Sequence, residues 1–267
     1  MKAAIISDIH GNSPALEAVL DSIGKEIPET IYVLGDVAHG VDLKRCLQLI
    51  YDLPNRRCIK GNVEQYICVQ DLSGWNRPKD GSYRFGIEWK RRVMESAGRE
   101  LFDFVCAWPD FLCENDVYFM HDAPWDRRLA QEQGPDLPPE LRELAYHGGG
   151  VLPQMSEEDA QEIDNFLREN RVSTLFCGHT HLPFVRELPH GRVVNCGSVG
   201  QPFGRDPRAV WVAWQDDGSC AIRRVQYDIE KTVALHRGSA EQVRLFRLGL
   251  ELGDHPNEIT EEEKREK

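Results

Sequence analysis

Seven residues with metal-ligand chemistry fall in five places, each at the end of a short apolar run: Asp8 with His10, Asp36, Asn62, His121, and His179 with His181. Two carboxylates, one amide oxygen and four imidazoles suit a pair of divalent transition ions. Imidazole nitrogen favours manganese, iron, zinc, nickel or cobalt over magnesium or calcium, which prefer all-oxygen sites. Each element alone is weak, because Asp-x-His behind a strand is more often a turn than a metal site. His179 and His181 are the stronger pair, since alternate residues of an extended segment point the same way.

The elements that must position these residues read as an α/β chain. Residues 2–7, 30–34, 57–60 and 173–177 are apolar runs of strand length. Residues 14–24 carry Leu16, Val19, Leu20 and Ile23 at helical spacing behind Ser13 as N-cap, and 42–52 is a second amphipathic helix. This alternation predicts right-handed crossovers and a parallel core sheet. Ligands of open α/β sheets bind beyond the carboxyl ends of the strands, so the five loops should converge on one crevice. Residues 82–108 read as one or two aromatic-rich helices, and 111–120 as a strand pair turning at 114–116. The Pro- and Gly-rich stretch 123–154 reads as an irregular insertion serving as a lid. A helix at 156–170 precedes a β-meander to residue 227, with turns at 189–191 and 216–218. A helical extension, 228–253, carries the stripe Val243, Phe246 and Leu250, which can dock on its own core or make an oligomer with a partner subunit. The charged tail, 254–267, is expected to be disordered.

The 267 residues carry 32 basic against 44 acidic side chains, a net charge of −12. That balance counts against nucleic acid as a partner, since such binding relies on many cationic contacts to phosphate. It leaves room for a small phosphoester substrate. No apolar stretch approaches the ~18 residues of a membrane span. Asp8 and His10 interrupt the first apolar run before a signal-peptide core could form. The eight cysteines include no Cys-x-x-Cys pair and are expected as buried free thiols of a cytoplasmic protein.

The order Asp8-Ile9-His10, Gly35-Asp36, Gly61-Asn62-Val63-Glu64, His121 and Gly178-His179-Thr180-His181 resembles the calcineurin-like metallophosphoesterases. The longer forms Asp8-Ile9-His10-Gly11-Asn12 and Asn195-Cys196-Gly197-Ser198-Val199-Gly200 are similar to the small prokaryotic phosphodiesterase branch of that family. The resemblance spans residues 1–227. It implies a four-layer αββα sandwich of two mixed β-sheets with outer helices, and two metals at one edge. Asp8, His10 and His181 would hold the first ion, Asn62, His121 and His179 the second, and Asp36 would bridge them. It also implies phosphodiester hydrolysis by a hydroxide shared between the ions; Asn62 can orient the phosphate, and Asp122, next to His121, and Thr180 are candidates for fixing the imidazoles.

Val63 departs from the pattern, because many relatives have a histidine there that protonates the leaving group. Valine has no proton to give, so substrates whose leaving groups depart unprotonated are favoured, or another donor serves. His39, three residues beyond Asp36, is the candidate. Glu64 reads as a helix-start residue, and Asn12 and Arg127 as further phosphate contacts. Arg128, Arg205 and Arg208 read as solvated loop residues. Trp75, Trp89, Trp108 and Trp125 could form core or a wall beside the site. Cys177 and Cys196, flanking ligand loops, could make activity oxidation-sensitive. Two other readings stand beside the diesterase: a non-catalytic metal-binding scaffold, and a nuclease or nucleotide phosphatase.

Overall fold

A computed structural model of the chain describes residues 1–68, 91–122, 157–254 and 259–266. In chain order its first elements are β1 (Ala3–Ile6), α1 (Ser13–Gly24), β2 (Thr30–Val33), α2 (Leu43–Tyr51), β3 (Arg56–Cys58) and α3 (Asn62–Cys68). The helical residues 91–96 (α4), then α5 (Arg99–Cys106), β4 (Phe111–Glu114) and β5 (Val117–Met120) follow. After them come α6 (Glu157–Asn170), β6 (Thr174–Cys177), β7 (Phe184–Leu188), β8 (Gly191–Asn195), β9 (Ala209–Trp214) and β10 (Cys220–Val225). The chain closes with α7 (Ile229–Leu235), α8 (Ala240–Leu252) and α9 (Glu261–Glu266). The insertion expected at 123–154, with Arg127, Arg128 and Trp125, lies outside the described residues, as do Trp75 and Trp89.

Two mixed five-stranded sheets face each other, in the orders β10-β9-β1-β2-β3 and β4-β5-β6-β8-β7. The expected parallel core is present as β1, β2 and β3, but β9 and β10 add to it antiparallel. The twofold periodicity of a strand sorts the core. Ala3 and Ile5 of β1 pack inward against Phe119, Phe176 and Val194 of the other sheet, while Ala4 and Ile6 face α1 and α2. Ile163 and Leu167 of α6 cover the outer side of the second sheet against Leu175 and Val193. The result is helices, sheet, sheet, helices, as the resemblance implied. Trp108 is core, edge-on to Phe104.

Several local expectations are corrected. The α1 cap is Asn12, whose Oδ1 accepts from the Ala15 amide at 3.2 Å, while Ser13 donates to Asp42 at 2.6 Å. The second half is two hairpins in different sheets rather than a meander, and β6 pairs in parallel with β8 across the chain of β7. The C-terminal helix is two: it breaks before Ser239, which caps α8 through a reciprocal capping box with Gln242. Leu248 and Leu250 of α8 are buried against this chain itself. Within the tail expected to be disordered, residues 261–266 form α9, Ile259 is buried, and Glu263 accepts from Arg205. Cys68 and Cys106 form a disulfide joining α3 to α5, Cys113 is exposed and Cys220 is half-buried. The all-thiol argument for a reducing compartment therefore falls. No described helix is long and apolar enough to cross a membrane.

Candidate metal centre

All five loops that carry candidate ligands leave the ends of strands: Asp8 and His10 follow β1, Asp36 follows β2, Asn62 opens α3 behind β3, His121 follows β5, and His179 and His181 follow β6. Three loops belong to one sheet and two to the other, so the cluster forms where the two edges meet. Stitches across that seam are direct. Asp8 Oδ2 accepts from the His179 amide at 2.9 Å, and the Val199 and Gly200 amides donate to the Ser7 and Asp8 carbonyls, each at 3.0 Å.

The side chains meet in overlapping groups. In one, Asp8, His10 and His181 offer ligand atoms all within 4.8 Å of one another; in another, His121, Asp122 and His179 do; Asp8, Asp36 and His121 make a third. His10 Nε2 and His181 Nε2 face each other at 3.0 Å, with Asp8 Oδ1 3.3 Å from His181 Nε2. Asn62 Oδ1 lies 3.1 Å from both His121 Nε2 and His179 Nδ1. Asp36 reaches both sides: Oδ1 is 3.5 Å from His121 Nε2 and Oδ2 is 3.9 Å from His10 Nε2. His179 and His181 do not point the same way as an extended pair would. Both have positive φ, +68° and +59°, and they part into different groups.

Five of these residues, Asp8, His10, Asp36, His179 and His181, sit in the left-handed region that costs a side-chain-bearing residue roughly 1–2 kcal/mol. Such strain persists only where the surroundings over-determine it. Glu64 is much of that surrounding. Fully buried, it is no mere helix-start residue: its carboxylate accepts from the amides of Asp36, Val37 and Ala38 at 2.8 Å and of Gly61 at 2.9 Å, clamping two ligand loops together. Gly61 must be glycine, because a Cβ there would lie 2.2 Å from Asp36 Oδ1.

The imidazoles are fixed from behind by backbone carbonyls that no sequence motif displays: Leu34 O at 2.6 Å from His121 Nδ1, and Gln201 O at 2.6 Å from His181 Nδ1. Asp122 and Thr180 do not fill that role. Asp122 stands 3.8 Å from His121 Nε2, on the ligand side, and Thr180 is bonded to Asn195. Asn195, the first residue of the 195–200 motif, also donates from its side-chain amide to the Gly178 carbonyl at 2.7 Å and so holds the His179–His181 loop. Asn12 is spent on structure, donating to Gly200 O and accepting from Thr232. His39 lies beside the cluster, its ring edge-on to His10 at 5.7 Å. Arg205 and Arg208 pair with nearby carboxylates rather than facing the ligands. Burial pushes the Cys196 thiol well up, leaving it inert.

The electrostatics favour a cation. Burial opposes ionisation of Asp8, but His181 and His121 hold its carboxyl well below the usual range; Asp36 is held down likewise by His121 and His10. Burial also opposes charge on His121, yet Asp36 and Asp8 raise it well above an ordinary histidine. His10 is pushed down, by burial first. Asp8 Oδ1 is buried, without a well-formed hydrogen bond, and ringed by imidazole nitrogens. A positive ion among those atoms would satisfy it, so the donor set fits divalent metals.

The calcineurin-like phosphoesterase superfamily domain matches residues 1–217, and the chain belongs to that superfamily of phosphoric ester hydrolases. An uncharacterized protein of Methanocaldococcus jannaschii, MJ0912, is 29% identical over 250 residues, covering 85% of this chain and 88% of its own length. A metallophosphoesterase from Sphaerobacter thermophilus has the same fold, with a TM-score of 0.66, 23% identity, and coverage of 95% of this chain and 100% of that one. The hypothetical protein PH1004 from Pyrococcus horikoshii OT3 superposes with a TM-score of 0.67, 21% identity, and coverage of 95% and 98%.

Proposed function

We propose that the protein is a dinuclear metal-dependent phosphodiesterase acting on small phosphoesters. Asp8, His10 and His181 would hold one ion and Asn62, His121 and His179 the other, with Asp36 reaching both groups. The observation that carries this reading is the placement of Asp36 between two His-bearing groups, within 4 Å of a nitrogen in each. Such an ion pair supplies acidification of water and polarisation of the phosphoryl oxygens.

The chain's own residues do the remaining work. Asn62, whose amide oxygen faces His121 and His179, has its NH2 group for a phosphate oxygen. Val63 is buried and contributes its backbone amide, which donates to Asp36 Oδ1 at 2.9 Å. It offers no proton to a leaving group. We assign that proton to His39, beside His10, and expect diesters to be preferred over monoesters with only a shallow dependence on the pKa of the leaving alcohol.

Panels of aryl and alkyl diesters and monoesters, assayed with chelator-stripped protein reloaded with Mn, Ni, Co, Zn or Mg, test the reading. Diesters turned over fastest with a transition ion support it. Inactivity across all ions would favour the non-catalytic scaffold, and preference for nucleoside monophosphates the nucleotide phosphatase. In a leaving-group series, His39→Ala should make a shallow dependence on alcohol pKa steep; an unchanged slope removes His39 as donor.

A further inference from the structure

Residues beyond 217 lie outside the superfamily match, yet they reach the ligand cluster through one loop. Phe203 stacks on His181 with ring centroids 4.5 Å apart at 24°, and two residues earlier Gln201 O holds His181 Nδ1. Pro202 and Phe203 line one pocket together with Phe246, Gly249 and Leu250 of α8. Behind Phe203 the loop is latched to the end of α8. The Arg205 amide donates to Gly253 O at 3.0 Å, and the Arg205 guanidinium pairs with Asp254 at 2.9 Å and Glu263 at 2.6 Å. Gly253 caps α8 with φ +63°, and a Cβ there would come within 2.6 Å of the Asp206 backbone.

We propose that Phe203 is a positioning residue for His181, and that α8 and its glycine cap keep it in place, so that the C-terminal extension tunes the ion held by Asp8, His10 and His181. The inference rests on the reading of His181 as a metal ligand. The physical basis is that an imidazole fixed on only one edge still rocks about that hydrogen bond. A ring stacked on its face removes that freedom, and groups that orient metal-bound histidines are typically worth 10–100-fold in affinity. The other ion, near Asn62, His121 and His179, has no such connection to α8 among the described contacts.

The test titrates full-length, metal-free protein with Co²⁺, following bound metal by equilibrium dialysis and ligand geometry by visible absorption. His181→Gln and His179→Gln mark the spectrum and affinity expected when each ion is impaired. Phe203→Leu, which keeps bulk but loses the flat face, should weaken one ion by about 10-fold or more and spare the other, with a one-equivalent spectrum matching that of His181→Gln. Gly253→Ala, which alters no proposed ligand, should do the same by pushing α8 off the loop; if it does not fold, Phe203→Leu and Arg205→Gln carry the test. Equal weakening of both ions, or no change in either, overturns the inference while leaving the dinuclear reading intact. A wild type that binds no Co²⁺ overturns both.

Discussion

The two ends of the strands solve the same problem, reversing the chain, with different residues. At the far end the left-handed positions are Asn55, Asn115 and Gly218, types that tolerate positive φ cheaply, together with Ile27 and Arg171, all in turns that meet solvent. At the ligand end they are Asp8, His10, Asp36, His179 and His181, mostly buried and crowded by neighbouring backbone. Strain at the far end stays in exposed turns; at the near end it lies in a mostly buried cluster and aims side chains at one another. Removing a group at the near end should therefore damage chemistry and stability together, whereas the far end should yield stability effects alone.

The largest expected effect is Asp36→Asn, which removes the carboxylate that reaches both groups. Turnover should fall to background while far-UV circular dichroism stays that of the wild type; near-normal rates with unchanged metal content would break the assignment. Next is Glu64→Gln. Its amide NH2 must face backbone donors now served by a carboxylate, and a buried mismatch of this kind costs about 1–3 kcal/mol. Urea unfolding should register that loss together with weaker metal binding, and an unchanged midpoint would mean the clamp is dispensable.

Smaller again is Val63→His. Placed in the His39→Ala background, it should raise hydrolysis of poor alkyl leaving groups over activated aryl ones by about 10-fold, read as a return to a flatter leaving-group plot; equal acceleration of both would show that protonation is not limiting. A last pair sharpens the comparison most. Gly218→Ala meets nothing within 4 Å and bears only its φ of +81°, so it should cost about 1 kcal/mol and leave kinetics alone. Gly61→Ala drives a Cβ into Asp36 and should lower kcat as well. Matching kinetics in the two variants would erase the distinction between the ends.

What the sequence displayed, and what it hid, follows the same division. Asp8, Asp36, Asn62, His121, His179 and His181 were legible because each interrupts an apolar run, and a strand end is where a sheet presents side chains to a crevice. The carbonyls of Leu34 and Gln201 were not, since every residue has one and only the fold says which aims at an imidazole. Glu64 does stand in the first turn of α3, but its clamp was hidden because it depends on amides of a loop 28 residues away. The Cys68–Cys106 bridge, 38 residues apart in sequence, follows no spacing rule. The hairpin β7–β8 was readable from its turn, but not that the chain then crosses to the other sheet. The break before α8 did carry a signal, since Ser239 and Gln242 stand three apart as a capping box requires.

The central claim is that seven side chains hold two ions. Its most direct test is elemental analysis of full-length protein stripped by chelator, saturated with Mn²⁺ at a pH that leaves imidazoles neutral, and freed of excess ion. The account predicts two manganese ions per chain in the wild type, with fewer in Asp36→Asn. One ion or none in the wild type, or an undiminished pair in Asp36→Asn, would contradict it.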